Sequence, residues 1–163
     1  MNTFKHTLVA ILFSSLAISQ SNPDVNVTIA ATVVDYIEMI TLADIDVGTV
    51  LPSEDVLRLD PRTDQGAGII ALLGRQNASV QVSFSAQVEM SNVITDQSLT
   101  VKYTVAGNGE NDQAASSLLT ANPATVQLNA SGEYYLWIGC EFSLLNLVPG
   151  QYDGDFAIEV DYN

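Results

Sequence analysis

The chain has 163 residues, a formal net charge of −14 and 47% hydrophobic residues. This acidity excludes charge-driven binding of nucleic acid or of an anionic membrane, and the apolar content is too high for an intrinsically disordered chain. The length suits a single domain with a sizeable core.

Residues 1–19 are predicted to be a secretory signal peptide. Lys5 precedes an apolar run over 7–17, and Ala17 and Ser19 supply the small side chains expected before a cleavage site. A run of about eleven apolar residues is too short to span a bilayer, which needs about twenty. We therefore expect the chain to be exported.

The segment from Asp24 to Val34 reads as a half-buried β-strand, because apolar and polar residues alternate and neither Gly nor Pro interrupts them. Such a strand can complete its own sheet or add to the sheet of a neighbouring molecule. We predict that 20–35 forms a donor strand and that 36–163 forms a β-sandwich domain. One face of the donor strand would carry Val25, Val27, Ile29, Ala31 and Val33.

The remaining chain alternates short apolar-patterned runs with turn residues, which is typical of an all-β sandwich or barrel. No helical periodicity of ordinary length follows the signal, so we predict one domain of about nine strands. The runs are Tyr36–Leu42, Ile45–Leu51, Val56–Leu59, Ile69–Leu73, Ala78–Met90, Ser98–Val105, Ala124–Leu128, Glu133–Leu145 and Asp155–Tyr162.

The sequence contains few residues in arrangements that suit catalysis. The only His lies within the predicted signal, which excludes Ser-His-Asp and Cys-His arrangements and His-ligated zinc from the exported chain. With 19 acidic residues, some carboxylate pair will always suggest a glycosidase, so that signal has little weight. We expect no enzyme activity and no cofactor.

Two acidic turns are candidate calcium sites. Asp153 and Asp155 flank a Gly, and 108–112 is the most polar loop. Oxygen ligands of this kind suit Ca²⁺, but neither segment has the spacing of an EF-hand loop. Solvated turns are therefore favoured over metal sites.

Cys140 is the only cysteine, so no disulfide can form within the chain. It is two residues from Ile138 and four from Leu136, which places the three side chains on one face of a strand. The pattern favours a small buried hydrophobic residue over a reactive thiol.

Tyr135 and Trp137 fall on one face of the predicted strand Glu133–Leu145. Exposed, the pair would stack on sugar rings, as in a carbohydrate-binding module or a tip adhesin. In the alternative, which the sequence favours, the strand is central, both of its faces are covered and the rings lie in the sandwich core.

Three segments together resemble a known family. Residues 45–52 read IDVGTVLP, residues 74–84 place a Gly before a long alternating strand (GRQNASVQVSF), and residues 136–162 contain WIGCEFSL followed by PGQYDGDFAIEVDY. These features resemble the bacterial secreted family called domain of unknown function 4402. Cys140 departs from its pattern, standing where the family has the second Gly of a Val-Gly-Gly core. The resemblance implies an exported, immunoglobulin-like sandwich related to fimbrial subunits, without catalytic residues.

A second resemblance is local. NVTIAATVV, within 24–34, is similar to the N-terminal donor strands of fimbrial major subunits of the alternate chaperone–usher class. It implies a cell-surface homopolymer, assembled by strand exchange with a periplasmic chaperone and an outer-membrane usher. The last strand is predicted to form one wall of the acceptor groove through Phe156, Ile158, Val160 and Tyr162. Pairing of the N-terminal strand within its own domain stays open as the alternative.

Overall fold

The computed structural model describes residues 36–48 and 55–163. The predicted signal peptide, the predicted donor strand with Val25, Val27, Ile29, Ala31 and Val33, and residues 49–51 of the predicted strand Ile45–Leu51 lie outside these residues. The described part of that predicted strand, 45–48, is not a strand, so the prediction is wrong there. The described part contains eleven strands and no helix. They are β1 Glu38–Ala43, β2 Val56–Leu59, β3 Gly68–Leu73, β4 Ser79–Phe84, β5 Gln87–Asn92, β6 Ser98–Asn108, β7 Ser117–Leu118, β8 Ala124–Gln127, β9 Glu133–Ser143, β10 Tyr152–Asp153 and β11 Ile158–Tyr162.

The strands form two antiparallel sheets. The larger sheet has the order β1-β3-β9-β6-β5-β10, with β2 paired to β9 and β7 paired to β6. The smaller sheet has the order β11-β4-β8. This arrangement confirms the predicted all-β sandwich of immunoglobulin-like type.

Strand β9 lies at the centre of the larger sheet. It pairs with β3 over its first half, with β2 over its last four residues, and with β6 on the other side. Leu136, Ile138 and Cys140 alternate along its inner face, which is the face turned towards the smaller sheet, and all three are buried. The period-two pattern of apolar residues therefore explains both the strand and the direction of its buried side chains.

The core consists of two clusters. The first lies between the sheets and joins Val80, Val82 and Val126 of the smaller sheet to Leu136 and Ile138. Residues of the second come only from strands of the larger sheet, namely Leu57, Leu99, Val101 and Cys140. The inner face of the larger sheet thus stays apolar beyond the strands of the smaller sheet.

The predicted single strand Ala78–Met90 is two strands in different sheets. β4 belongs to the smaller sheet and β5 to the larger. At the crossing, Ser85 donates its backbone N–H to Ala157, whereas the carbonyl of Ala86 accepts from Tyr103. The alternation continues through this change of partner without a turn residue, so the sequence pattern does not reveal it. A second difference is β10, which lies in a segment predicted to be a turn.

Within the described ranges, no helix is long and apolar enough to cross a membrane.

Replacing Leu136 by Ala tests the importance of the central strand. Leu136 is fully buried in the first cluster, so the change should lower the free energy of unfolding by about 2–5 kcal/mol. Leu145→Ala removes the same atoms from an exposed position and should cost less than about 0.5 kcal/mol. Urea denaturation followed by fluorescence measures both; equal losses would contradict this account of the core.

Candidate functional site

Two sheet edges face the same side of the sandwich. Among the described strands, β1 pairs only with β3, and β11 pairs only with β4. At one end the edges are joined, because the hydroxyl of Tyr162 donates to the backbone carbonyl of Tyr36 at 3.2 Å and accepts from the N–H of Arg75 at 2.9 Å. We call this the closed end.

The free edge of β11 presents its own backbone groups. The carbonyl of Ala157 accepts from the N–H of Ser85, which directly follows β4, and the N–H of Asn163 donates to Ser79 of β4. Because backbone direction alternates along a strand, the N–H and C=O groups of Ile158, Val160 and Tyr162 point away from β4. These groups are available to another strand.

The predicted groove wall therefore lies on this free edge. Phe156, Ile158, Val160 and Tyr162 are half-buried and pack against the first core cluster. Each β11 residue of this set combines a side chain turned towards the core with a backbone turned towards the open edge. The structure thus brings the predicted wall residues together at the edge of a sheet.

Strand β1 borders the same opening with apolar side chains. Met39 lies opposite Leu72 in the register, so the two side chains share the inner face. Leu72 is fully buried, but Met39 is 46% exposed. Ile40 and Leu42, on the other face of β1, are also exposed. This edge of the larger sheet is therefore apolar, and no other described strand covers it.

A cavity of about 570 Å³ lies at the other end of the inner face. We call it the apolar groove, and its end of the sandwich the open end. Ile45, which follows β1, packs against both core clusters and so connects the β1 edge to the groove. The groove walls include Met90, Leu99, Val101, Cys140, Phe142 and Leu147.

The sequence did not predict the residues of the apolar groove. Each lies on an alternating strand or beside one, where full burial under the opposite sheet is the default expectation. The usable signal was strand length: β6 and β9 have 11 residues each, whereas the strands of the smaller sheet have four to six.

An aromatic pair marks the passage from the covered core to the groove. The rings of Tyr103 and Phe156 lie 4.5 Å apart between centroids, tilted by 41°. Burial, with a smaller contribution from nearby Cys140, raises the pKa of Tyr103. An apolar environment thus extends from the core into the groove.

Cys140 is buried in the second cluster and forms part of the groove wall. Burial raises the pKa of its thiol, because desolvation penalises the thiolate. The prediction of a small buried hydrophobic residue is confirmed.

Trp137 is not available to bind sugar. It is 1% exposed and lies on the face of β9 opposite Leu136 and Ile138. On that face, the segment from Leu59 to Pro61 crosses so closely that a Cβ on Gly139 would collide with it. Tyr135 is half-buried, 6.3 Å from the indole, and its hydroxyl bonds to Glu133. The exposed-pair interpretation is therefore wrong for Trp137. The ring is covered, as the alternative predicted, but it lies on the outer face of the larger sheet and not in the sandwich core.

The two acidic turns show no metal centre. In residues 36–48 and 55–163, no group of three or more acidic, Cys or His side chains is placed to hold an ion. In the polar loop, Asp112 instead accepts a hydrogen bond from the N–H of Ala115.

Comparison with known proteins does not assign a family. No family model and no curated protein matches the chain. Among solved structures, the chain is similar to one from a structure described as "Chaperone-tip adhesin complex is vital for synergistic activation of CFA/I fimbriae biogenesis", with a TM-score of 0.47 and 12% identity. The match covers 78% of this chain and 41% of the other, so this chain spans about two-fifths of that length. The resemblance to domain of unknown function 4402 stays a prediction.

The thiol of Cys140 should be protected in the folded chain. We expect it to react with a disulfide reagent at pH 8 at least about tenfold more slowly than in the urea-unfolded chain, because only the accessible thiolate reacts. Its folded pKa lies above the ordinary value of 9.0, so the folded state retains the proton longer. This contribution to stability is present at neutral pH and is lost as pH rises above about 9.

Absorbance of the released thiol follows the reaction, and Cys140→Ala gives the background. Equal rates in the folded and unfolded chains would contradict the buried position of the thiol.

Proposed function

We propose that the chain is a structural subunit of an extracellular filament and that subunits polymerise by strand insertion. The segment from Asp24 to Val34 of one subunit would lie between β1 and β11 of the next and extend into its apolar groove. The observation that supports this proposal is the pair of free edges beside an uncovered apolar face.

The segment fits the site in length and in chemistry. Eleven extended residues span about 36 Å, which matches β9, also 11 residues long. Burying its three Val and one Ile, at Val25, Val27, Ile29 and Val33, is worth about 6–12 kcal/mol as an upper estimate. A non-covalent filament held this way would be durable.

Backbone pairing supports the same placement. If the inserted strand turns its apolar face to the core, its odd-numbered residues lie on the same face as Ile158 and Val160. Those two residues point their N–H and C=O groups to the free edge, so the inserted strand can form hydrogen-bonded pairs with them.

Insertion into a neighbour is favoured over folding back. Tyr36 is held at the closed end by Tyr162, and β1 starts at Glu38. A hairpin that returns Val34 over its own groove would turn within Asp35, Tyr36 and Ile37. Only Asp35 is of a type that favours turns, and none is Gly or Asn, the residues that best adopt the positive φ of a two-residue hairpin turn.

The proposal implies the partners that the sequence analysis predicted. The principal partner is a second copy of the chain. Exposed edges and an open groove are an aggregation hazard before assembly, which gives a periplasmic chaperone a role in covering them and an outer-membrane usher a role in exchange. The resulting filament lies at the cell surface. No catalytic residue and no cofactor is assigned.

Charge on the apolar face of the inserted segment should stop assembly. The double variant Val27→Asp with Ile29→Asp would bury two carboxylates without partners, at a cost of several kcal/mol each. We expect export to continue while the ladder of multimers on an unboiled gel, and the filaments seen by negative-stain microscopy, disappear.

The matched control places the same charges on the opposite face. Asn26→Asp with Thr28→Asp should leave both ladder and filaments. Normal filaments from the Val27/Ile29 variant would refute strand insertion. A wild-type chain that runs only as a monomer would indicate that the segment pairs within its own sheet.

A proline at Val160 tests the free edge directly. The N–H of Val160 points away from β4, so Val160→Pro keeps the pairing within the smaller sheet. It removes one donor from the free edge, and its ring obstructs an approaching strand. We expect a folded subunit whose assembly yield falls at least about tenfold.

The matched control is Val160→Ala, which removes the same apolar side chain but keeps the N–H. Circular dichroism shows whether both variants fold. Equal assembly by the two folded variants would show that no strand pairs with this edge.

A further inference from the structure

Four exposed apolar side chains cluster at the open end of the sandwich. They lie on the loop between β5 and β6 and on the loop between β9 and β10. Their exposed fractions range from 43% to 85%. We call them the apolar rim: Val93, Ile94, Leu145 and Val148.

The two loops form one ordered surface. The side-chain oxygen of Gln97 accepts from the N–H of Val148 at 2.7 Å and from the hydroxyl of Tyr152 at 2.8 Å. Its side-chain nitrogen donates to the carbonyl of Asn146 at 2.8 Å, and the N–H of Val93 donates to Gln151. One glutamine thus fixes both loops, so the rim is held in place while its apolar side chains face solvent. A fixed apolar patch of this kind marks an interaction surface.

The rim is almost free of charge in a strongly acidic chain. Residues 144–151 contain no acidic side chain, and 92–97 contain only Asp96, whereas the whole chain carries −14. Two copies of such a chain repel each other over most of their surfaces. The rim is a place where they can approach with little repulsion.

The short connector between the proposed inserted segment and β1, residues 35–37, determines what lies against the rim. Only Asp35, Tyr36 and Ile37 separate Val34 from β1, and three extended residues span about 10 Å. A subunit that places its segment in a neighbour's groove must therefore bring its own closed end within about 10 Å of the point where the segment enters.

The segment enters at the open end. The closed end is bridged by the hydrogen bond from Tyr162 to Tyr36, and Tyr36 follows the proposed segment by one residue in the sequence. Val148 lines the groove and also belongs to the rim, so the groove mouth and the rim are continuous. The incoming closed end carries the exposed ring of Tyr36.

We infer that the apolar rim is the second contact between subunits: it packs against the closed end, around Tyr36, of the next copy of this chain. The inference rests on the proposed strand insertion, but it assigns a separate task to different residues. The inserted strand links the subunits, and the rim holds their bodies at a fixed angle.

The test replaces one rim residue without altering the groove. Ile94→Asp changes the most exposed of the four side chains, so folding should be retained. We expect an unchanged ladder on the unboiled gel, because strand insertion persists. In negative-stain images, the persistence length of the filament should fall at least about threefold, since the bodies are then joined only through the backbone at Asp35, between the inserted segment and Tyr36.

Three further variants make the result specific. Leu145→Asp, on the other loop, should reproduce the effect independently. Ile94→Leu keeps the apolar contact, and Thr125→Asp adds the same charge at an exposed strand position opposite the uncharged Gln81; both should leave the filament stiff.

Unchanged stiffness in Ile94→Asp and Leu145→Asp would overturn the inference while leaving strand insertion intact. Loss of the ladder in the folded variants would also overturn it, because the rim would then act in insertion itself. Absence of a ladder in the wild-type chain would refute the proposed function, and the inference with it.

Discussion

Unequal strand length is the constraint on which the rest of the structure depends. Strands β6 and β9 have 11 residues each, or about 36 Å, whereas β4 has six, or about 20 Å. Apolar residues continue along the inner face of the long strands, so Ile138 lies under the smaller sheet while Cys140, two residues further on, forms part of a groove wall. A sandwich with one short sheet cannot cover its own core.

The uncovered region makes the two ends of the sandwich different. At the closed end, Tyr162 ties the last strand to the start of the first; at the open end, the groove and the rim face solvent. Contact between the open end of one copy and the closed end of another would be heterologous, and heterologous contacts generate filaments when their rotation does not close into a ring. Polarity of this kind follows from the fold alone, before any assumption about assembly.

Local patterns predicted strands well and failed wherever a distant partner decides the outcome. Val56–Leu59 and Ala124–Leu128 match β2 and β8 within one residue, because short alternating runs end at turn residues. The change of sheet after Phe84 was missed, since it depends on which strand lies alongside. The burial of Trp137 was also beyond the local pattern. Its alternation with Tyr135 predicts that both side chains lie on the same face of β9, but only the segment from Leu59 to Pro61, which crosses that face, shows that it is covered. The wall on β11 was predictable from its alternation, whereas the groove required knowledge of how far the smaller sheet extends.

The free edge of β11 also discriminates between possible partners. Its outward side chains, Glu159 and Asp161, are exposed, and like charges on paired strands are destabilising. Two copies of β11 therefore pair poorly, which protects an edge that would otherwise invite aggregation. The outward face of the proposed inserted segment carries a charge only at its first residue, Asp24. The edge thus repels a copy of itself and tolerates a strand that combines an apolar face with a nearly uncharged one.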